Sequence, residues 1–317
     1  MVARTRYAPD RGLTARMTAT MFLLGLVFVA FVAVLVFILS AVHASSALIV
    51  LLAVVLGGGL AIGSLFFSDK IALSTAGARE VTPQQAPELH GVVDRICALA
   101  DMPKPRVAIA PGDLPNAFAT GRNSQHAVLC VTEGLMRRLN REELEGVIAH
   151  ELSHVAHKDV MVMTIASFLA IIAGLLIRFS FYGELFGGGG RRDSNDQNSG
   201  LILLAIMGVS IVVYAISFLL IRLLSRYREL AADRSGALLT GQPSALASAL
   251  QKVSGTIARI PTRDLREAQP LNAFFFVPAL SAREGQTAIA NLFSTHPPLE
   301  KRLAQLAKIS QQLGQQQ

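Results

Sequence analysis

A chain of 317 residues with 52% hydrophobic and only 16% charged residues is too apolar for one or two ordinary soluble domains, so an integral membrane protein is the first expectation. The net charge of +7 does not point to nucleic acid, because the basic residues are scattered beside apolar stretches, aromatics make up 6% and Trp is absent; the charge reads as membrane orientation. The two cysteines, Cys97 and Cys130, form no CxxC, which excludes a cysteine zinc site and a disulfide framework and leaves free thiols in a reducing compartment.

Four stretches reach the roughly 20 apolar helical residues that cross a hydrocarbon core: Met17–Val42, Ala47–Phe67, Val160–Phe179 and Leu201–Leu224. The first is longer than a signal-peptide core and a second span follows at once, which favours a retained hairpin. Arg4, Arg6, Arg11 and Arg16 precede it, whereas the link around His43 and Ser45 has no Lys or Arg, so the N-terminus is expected in the cytoplasm. Two hairpins then bring the C-terminus to the same side, where Arg226, Arg228 and Arg234 follow the last span. Residues 183–200, with the run Gly187–Gly190, read as a flexible external linker. The expected organisation is an N-terminal segment and hairpin over 1–67, a cytosolic part over 68–159, a second hairpin over 160–224 and a second cytosolic part over 225–317.

The first cytosolic part reads as α+β. Arg106–Ala110, Asn116–Thr120 and His126–Val131 carry β-branched or aromatic residues between turn signals and are expected as strands, while His90 falls in a Pro-bounded surface helix. Asn140, with Glu143 three residues on, has the form of a capping box, and Leu144, Val147, Ile148, Leu152 and Val155 continue at helical spacing. Val160 begins the third span six residues after His154, so a metal held by His154 is expected only about 9 Å along the helix from the membrane boundary, at a rise of about 1.5 Å per residue.

Within the helix, His150-Glu151-Leu152-Ser153-His154 forms HExxH. Residues four apart share a helix face, so both imidazoles can reach one ion while Glu151 points at a water on it. Zinc suits two nitrogens and a carboxylate with the fourth position open, and it would acidify that water so that Glu151 could take its proton. The alternative is an amphipathic helix with two surface histidines.

A third ligand is needed. His157 follows His154 by three residues and on a straight helix points about 60° away, while the longer HExxHxxGxxH pattern fails because His157 occupies its Gly position and Val160 its last. In Ser225-Arg226-Tyr227-Arg228-Glu229-Leu230-Ala231-Ala232-Asp233, Glu229 and Asp233 are four apart on a helix leaving the fourth span, so a ligand carboxylate and one that orients a ligand can share a face. Two membrane crossings separate His154 from Glu229, so both return to one side of the bilayer.

The sequence here resembles the HtpX-type heat-shock membrane zinc metalloproteases, relatives of the CAAX prenyl endopeptidases among the gluzincins. The resemblance covers nearly the whole chain: two spans, a segment with HExxH, a second hairpin, Glu229 and Asp233 in an SRxRE…AD context, and the distal Thr295-His296-Pro297-Pro298. It implies an α-helical membrane protein with four transmembrane helices and a cytosolic α+β gluzincin-like domain. It also implies one zinc per chain on His150, His154 and Glu229, with Glu151 as base and Asp233 behind the ligands. The activity implied is stress-linked proteolysis of damaged membrane proteins or unfolded polypeptides at the cytosolic face of the bacterial inner membrane. Leu230, where an aromatic is expected, His157, where a polar amide is expected, and an N-terminal extension depart from the pattern without touching a ligand.

Two further places combine residue chemistry with the resemblance. Asn116, Ala117 and Phe118 lie on an expected strand upstream of the metal helix, and in gluzincins such an edge strand pairs with the substrate backbone; an ordinary core strand is the alternative. His296 precedes a Pro-led helix start and is a candidate donor to the charge that develops in the transition state, or a structural residue. Three activities remain in view: a broad membrane-protein endopeptidase, a narrow processing peptidase, and a silent zinc-binding scaffold, against which the presence of Glu151 speaks.

Overall fold

The structure is a computed structural model that describes residues 11–41, 47–187, 196–257, 259 and 295–315. Arg4, Arg6, the link at His43 and Ser45, and most of the polar run after Gly187 lie outside the described residues. The chain divides into two compact units: Met1–Ala15, Leu65–Met161 and Ser225–Gln317 make one, and Arg16–Ser64 with Val162–Leu224 the other.

The second unit is helical. It is built from α1 (Arg11–Ala41), the first part of α2 (Ala47–Thr75), most of α6 (Asp159–Gly187) and the first half of α7 (Asp196–Thr240). Phe31, Leu35, Leu169, Ile172, Leu176, Ile206 and Val213 pack inside it, yet Phe22, Val29, Phe37, Ile165, Leu201 and Ile211 are exposed. Helices apolar on every face need an apolar surround. Among the described residues, three helices are long and apolar enough to cross a membrane, Arg11–Ile38, Asp159–Tyr182 and Gly200–Thr240. The stretch Ala47–Phe67 falls within the 29 residues of α2. A Cβ on Gly57 would stand 2.9 Å from Ile172 Cγ1, so the absence of a side chain lets α2 and α6 touch. The expected linker is shorter than its composition suggests, because α6 runs on to Gly187 and α7 starts at Asp196.

The first unit carries a four-stranded sheet in the order β1-β2-β4-β3, from β1 (Arg79–Glu80), β2 (Arg106–Ala110), β3 (Ala117–Thr120) and β4 (Val128–Thr132). β2 pairs parallel with β4, Arg106 opposite Val128, and β3 pairs antiparallel with β4, Ala117 opposite Val131. The third expected strand starts late: His126 closes a 3-10 turn and is exposed, its N–H and ring bonded to the Asn123 side chain at 3.0 and 2.8 Å. That local bond competes with strand pairing.

Around the sheet lie α3 (Pro87–Ala100), α4 (Glu133–Met136), α5 (Arg141–Ala156), α8 (Pro243–Ile257) and α9 (Leu299–Gly314). Leu89, Val93, Ile96, Leu129, Leu135, Ile148, Leu152, Leu246 and Ile309 fill a common core. His90 is buried at 6% exposure with Nε2 3.0 Å from the Val81 carbonyl, which corrects its expected surface position; α3 turns that face onto the core. α5 does not run straight into the next helix. It ends at Ala156, His157 caps it, and Lys158 adopts a left-handed φ of 57° before α6 begins at Asp159. The straight-helix estimate of 9 Å therefore does not hold.

Candidate metal centre

α5 begins with the capping box that the sequence suggests: the Asn140 side chain accepts from Glu143 N–H at 2.9 Å and Glu143 accepts from Asn140 N–H at 3.0 Å. The same Glu143 carboxylate accepts from Ser248 Oγ at 2.6 Å and Lys252 Nζ at 2.8 Å, which ties α5 to α8. α5 is buried along almost its whole length, which fixes the rotation of its face. His150 and His154 lie on that face with their rings edge to face and their Nε2 atoms 3.2 Å apart.

α7 brings the third group. Glu229 is 7% exposed, with its oxygens 3.7 Å from His150 Nε2 and 3.5 Å from His154 Nε2. One nitrogen or oxygen atom from each of these three residues lies within 4.8 Å of the others. Asp233, one turn on, is fully buried with Oδ1 3.0 Å from His150 Nδ1, and it accepts from Arg302 Nε at 2.7 Å and Nη2 at 2.6 Å. Gly236 sits on the same face. A Cβ there would stand 2.9 Å from the His150 backbone nitrogen, so glycine is what permits α7 to approach α5 at the ligands.

A parallel support stands behind His154. Its Nδ1 is 2.5 Å from Asp159 Oδ2, and Arg228 Nε is 3.0 Å from the same oxygen. A carboxylate only accepts hydrogen bonds, so in each neutral ring Nδ1 carries the proton and Nε2 a lone pair. With both rings neutral, two Nε2 lone pairs and a carboxylate oxygen converge on one point, a set that a proton on His150 or a metal ion in its place satisfies. The donors fit a metal ion.

Glu151, 5% exposed, accepts from Ala119 N–H at 3.2 Å; burial raises its pKa above the usual carboxylate range, against the pull of the two histidines. β3 is one of the two edges of the sheet, and its alternation is set by two contacts: Thr132 N–H donates to the Asn116 carbonyl at 2.9 Å, whereas Ala119 N–H turns outward. The outward backbone therefore belongs to Ala117 and Ala119, while Asn116 and Phe118 turn theirs toward β4 and are themselves buried. Burial presses the His150 ring toward neutrality, but the Asp233 and Glu229 carboxylates prevail and raise its pKa to about 9 in the absence of metal.

His296 arrives from another segment, 8% exposed, with Nδ1 3.0 Å from Glu229 Oε2. α9 follows, with Pro298 as its N-cap and no side-chain cap bond. His157 belongs to the helix end rather than the ligand set, and burial lowers its pKa. Of the sequence expectations, His150, Glu151, His154, Glu229, Asp233 and His296 come together; Asp159, Arg228, Arg302 and Ala119 are additions. Arg302 had a signal, as a cation one turn inside the helix that follows His296. Asp159 had none, because the turn at Lys158 is not announced by a glycine.

The model of the family described as Peptidase family M48 matches residues 83–310. The chain is 58% identical over 312 residues to Protease HtpX homolog 1 of Streptomyces coelicolor, covering 98% of this chain and 97% of the relative. It is 50% identical over 311 residues to the Protease HtpX homolog of Moorella thermoacetica, covering 98% of each. The crystal structure of S. mikatae Ste24p shares the fold, with a TM-score of 0.52 at 16% identity over 92% of this chain and 67% of that one. With its HExxH helix and converging His-His-Glu set inside the matched region, the chain belongs to peptidase family M48, as a metalloprotease of the HtpX type.

Proposed function

We propose that this chain is a zinc endopeptidase of broad specificity that cleaves damaged or misfolded membrane proteins and unfolded polypeptides at the cytosolic face of the bacterial inner membrane. The observation that carries the reading is the pairing of the converging His150, His154 and Glu229 atoms with a buried Glu151 beside the outward edge of β3. One zinc on the three ligands would supply an acidified water and a polarised carbonyl. Glu151, its pKa raised by burial, takes the proton and later returns it to the leaving amine. The backbone of Ala117 and Ala119 would hold an extended substrate strand, a mode that reads main chain and tolerates many side chains. Asp233 orients His150, and His296, whose Nδ1 contacts Glu229, would offer Nε2 to the developing oxyanion.

Four spans with both termini and the metal centre on the cytosolic side complete the proposal, supported by three apolar helices and the length of α2. The test compares zinc content and cleavage of a panel of unfolded and membrane substrates by the wild type and Glu151→Gln, which should keep zinc and lose cleavage. Proteomics of membranes carrying either form should show several membrane proteins accumulating with Glu151→Gln. A single accumulating substrate would favour a narrow processing peptidase, and unchanged membranes a scaffold. Cysteines placed at Gly188 and Gln315 should label from outside and inside respectively, and reversed access would refute the topology.

A further inference from the structure

We propose that the Asp159–Arg228 pair positions the metal ligand His154, with Asp159 fixing the tautomer and direction of the imidazole and Arg228 compensating the charge of the buried carboxylate. The inference rests on the reading of His154 as a ligand. Asp159 Oδ2 lies 2.5 Å from His154 Nδ1 and 3.0 Å from Arg228 Nε, and Asp159 is 2% exposed. A buried carboxylate that binds a histidine and pairs with a guanidinium at the same oxygen has its charge compensated where it meets the ring.

This contact is not a by-product of helical spacing. Five residues on from His154, a side chain on one continuous helix would point about 140° away. The chain reaches the histidine only because α5 stops at Ala156 and Lys158 takes a left-handed φ of 57°, a conformation that a non-glycine residue adopts at a cost. A strained turn at this place is accounted for by what it delivers. The arrangement also repeats, with different elements, the one behind the other ligand, where Asp233 contacts His150 Nδ1 at 3.0 Å and Arg302 grips Asp233. Each imidazole thus has its own Asp and Arg. Arg228 adjoins Glu229 on α7, so one helix turn supplies the third ligand and steadies the second.

The test uses the purified full-length protein, with zinc affinity measured by chelator competition and the visible absorption of the cobalt-substituted form recorded beside it. Asp159→Ala should weaken zinc binding by about 10- to 100-fold and alter the cobalt bands. Asp159→Asn should lose less, since its amide oxygen still accepts from Nδ1. Arg228→Ala should fall between wild type and Asp159→Ala, and the double variant should bind no worse than Asp159→Ala, because Arg228 acts through Asp159. Wild-type affinity and cobalt spectrum in Asp159→Ala, whatever its melting temperature, would overturn the proposal, as would additive losses in the double variant. If Asp159→Ala fails to fold, Asp159→Asn decides by the same two readings. His154→Ala separates the premise from the inference: undiminished zinc binding there sinks the ligand assignment itself, whereas zinc loss with a silent Asp159→Ala sinks only the positioning role.

Discussion

Gly236→Ala should damage the metal centre although Gly236 contacts no ion. The added Cβ would lie 2.9 Å from the His150 backbone nitrogen and 3.2 Å from Ala149 C and His150 Cα, all main-chain atoms of α5 that no rotamer change can move. Restoring ordinary contacts of about 3.5–4.0 Å requires α7 to back away by roughly 0.6–1.1 Å. Glu229 rides on the same helix two turns earlier, and metal–ligand distances tolerate only about 0.2 Å. Overpacking of this kind costs about 1–3 kcal/mol, partly offset by alanine's helix preference of about 1 kcal/mol, so the metal-free fold should lose little. Zinc binding bears the displacement directly, and a penalty of about 1–3 kcal/mol corresponds to roughly 5- to 150-fold weaker affinity. Chelator competition and melting of metal-free and zinc-loaded protein measure the two separately. Unchanged affinity together with a raised melting temperature would show that the helices do not need the glycine for their approach, and the reasoning would fail.

Metal affinity should also depend on pH. The His150 pKa stands at about 9 in the metal-free fold against 6.5 unperturbed, so its contribution to metal-free stability is complete below pH 6.5 and disappears as pH rises through about 9. Zinc must displace that proton, so apparent affinity should climb by about tenfold per pH unit between these limits and then level off; a flat profile would refute the protonated apo state. His296→Ala should cut kcat by roughly 10²–10³ with zinc retained, and parallel zinc loss would make His296 a support of Glu229 instead. Burial raises Cys97 to about 11 and Cys130 to about 12, so neither should react with maleimide in the native protein at pH 8 while both label in denaturant; rapid native labelling would contradict their burial.

The metal site was legible where its parts are local or where topology restricts the choice. HExxH and the capping box are patterns within one helix, and the topology expected from hydropathy favours the acidic segment whose Glu229 the fold brings beside the two histidines. Asp233 follows from i,i+4 spacing, and the same face continued to Gly236 gives a signal for the helix crossing that spacing alone leaves unread. The Asp159 contact was hidden because it depends on a left-handed lysine, which no residue preference announces. Arg302 and His296 depend on how a distant segment folds back, which hydropathy does not encode. The strand pattern gave β2 to the residue, but at β4 the Asn123 side chain claims His126 and delays the strand. For β3, the alternation that decides which amides face outward is fixed by pairing with Thr132 rather than by composition.

The order of the parts along the chain has a consequence for biosynthesis. His150 and His154 leave the ribosome well before Glu229, with α6 and the first half of α7 made in between, and His296 and Arg302 come last. A chain made only as far as α6 therefore holds the two imidazoles without Glu229, and one made only through α7 holds Asp233 without the arginine that clamps it. The converging set of three donors is complete only once α7 has been made. Assembly of the site thus follows the order of synthesis, with the pair behind His150 closed last.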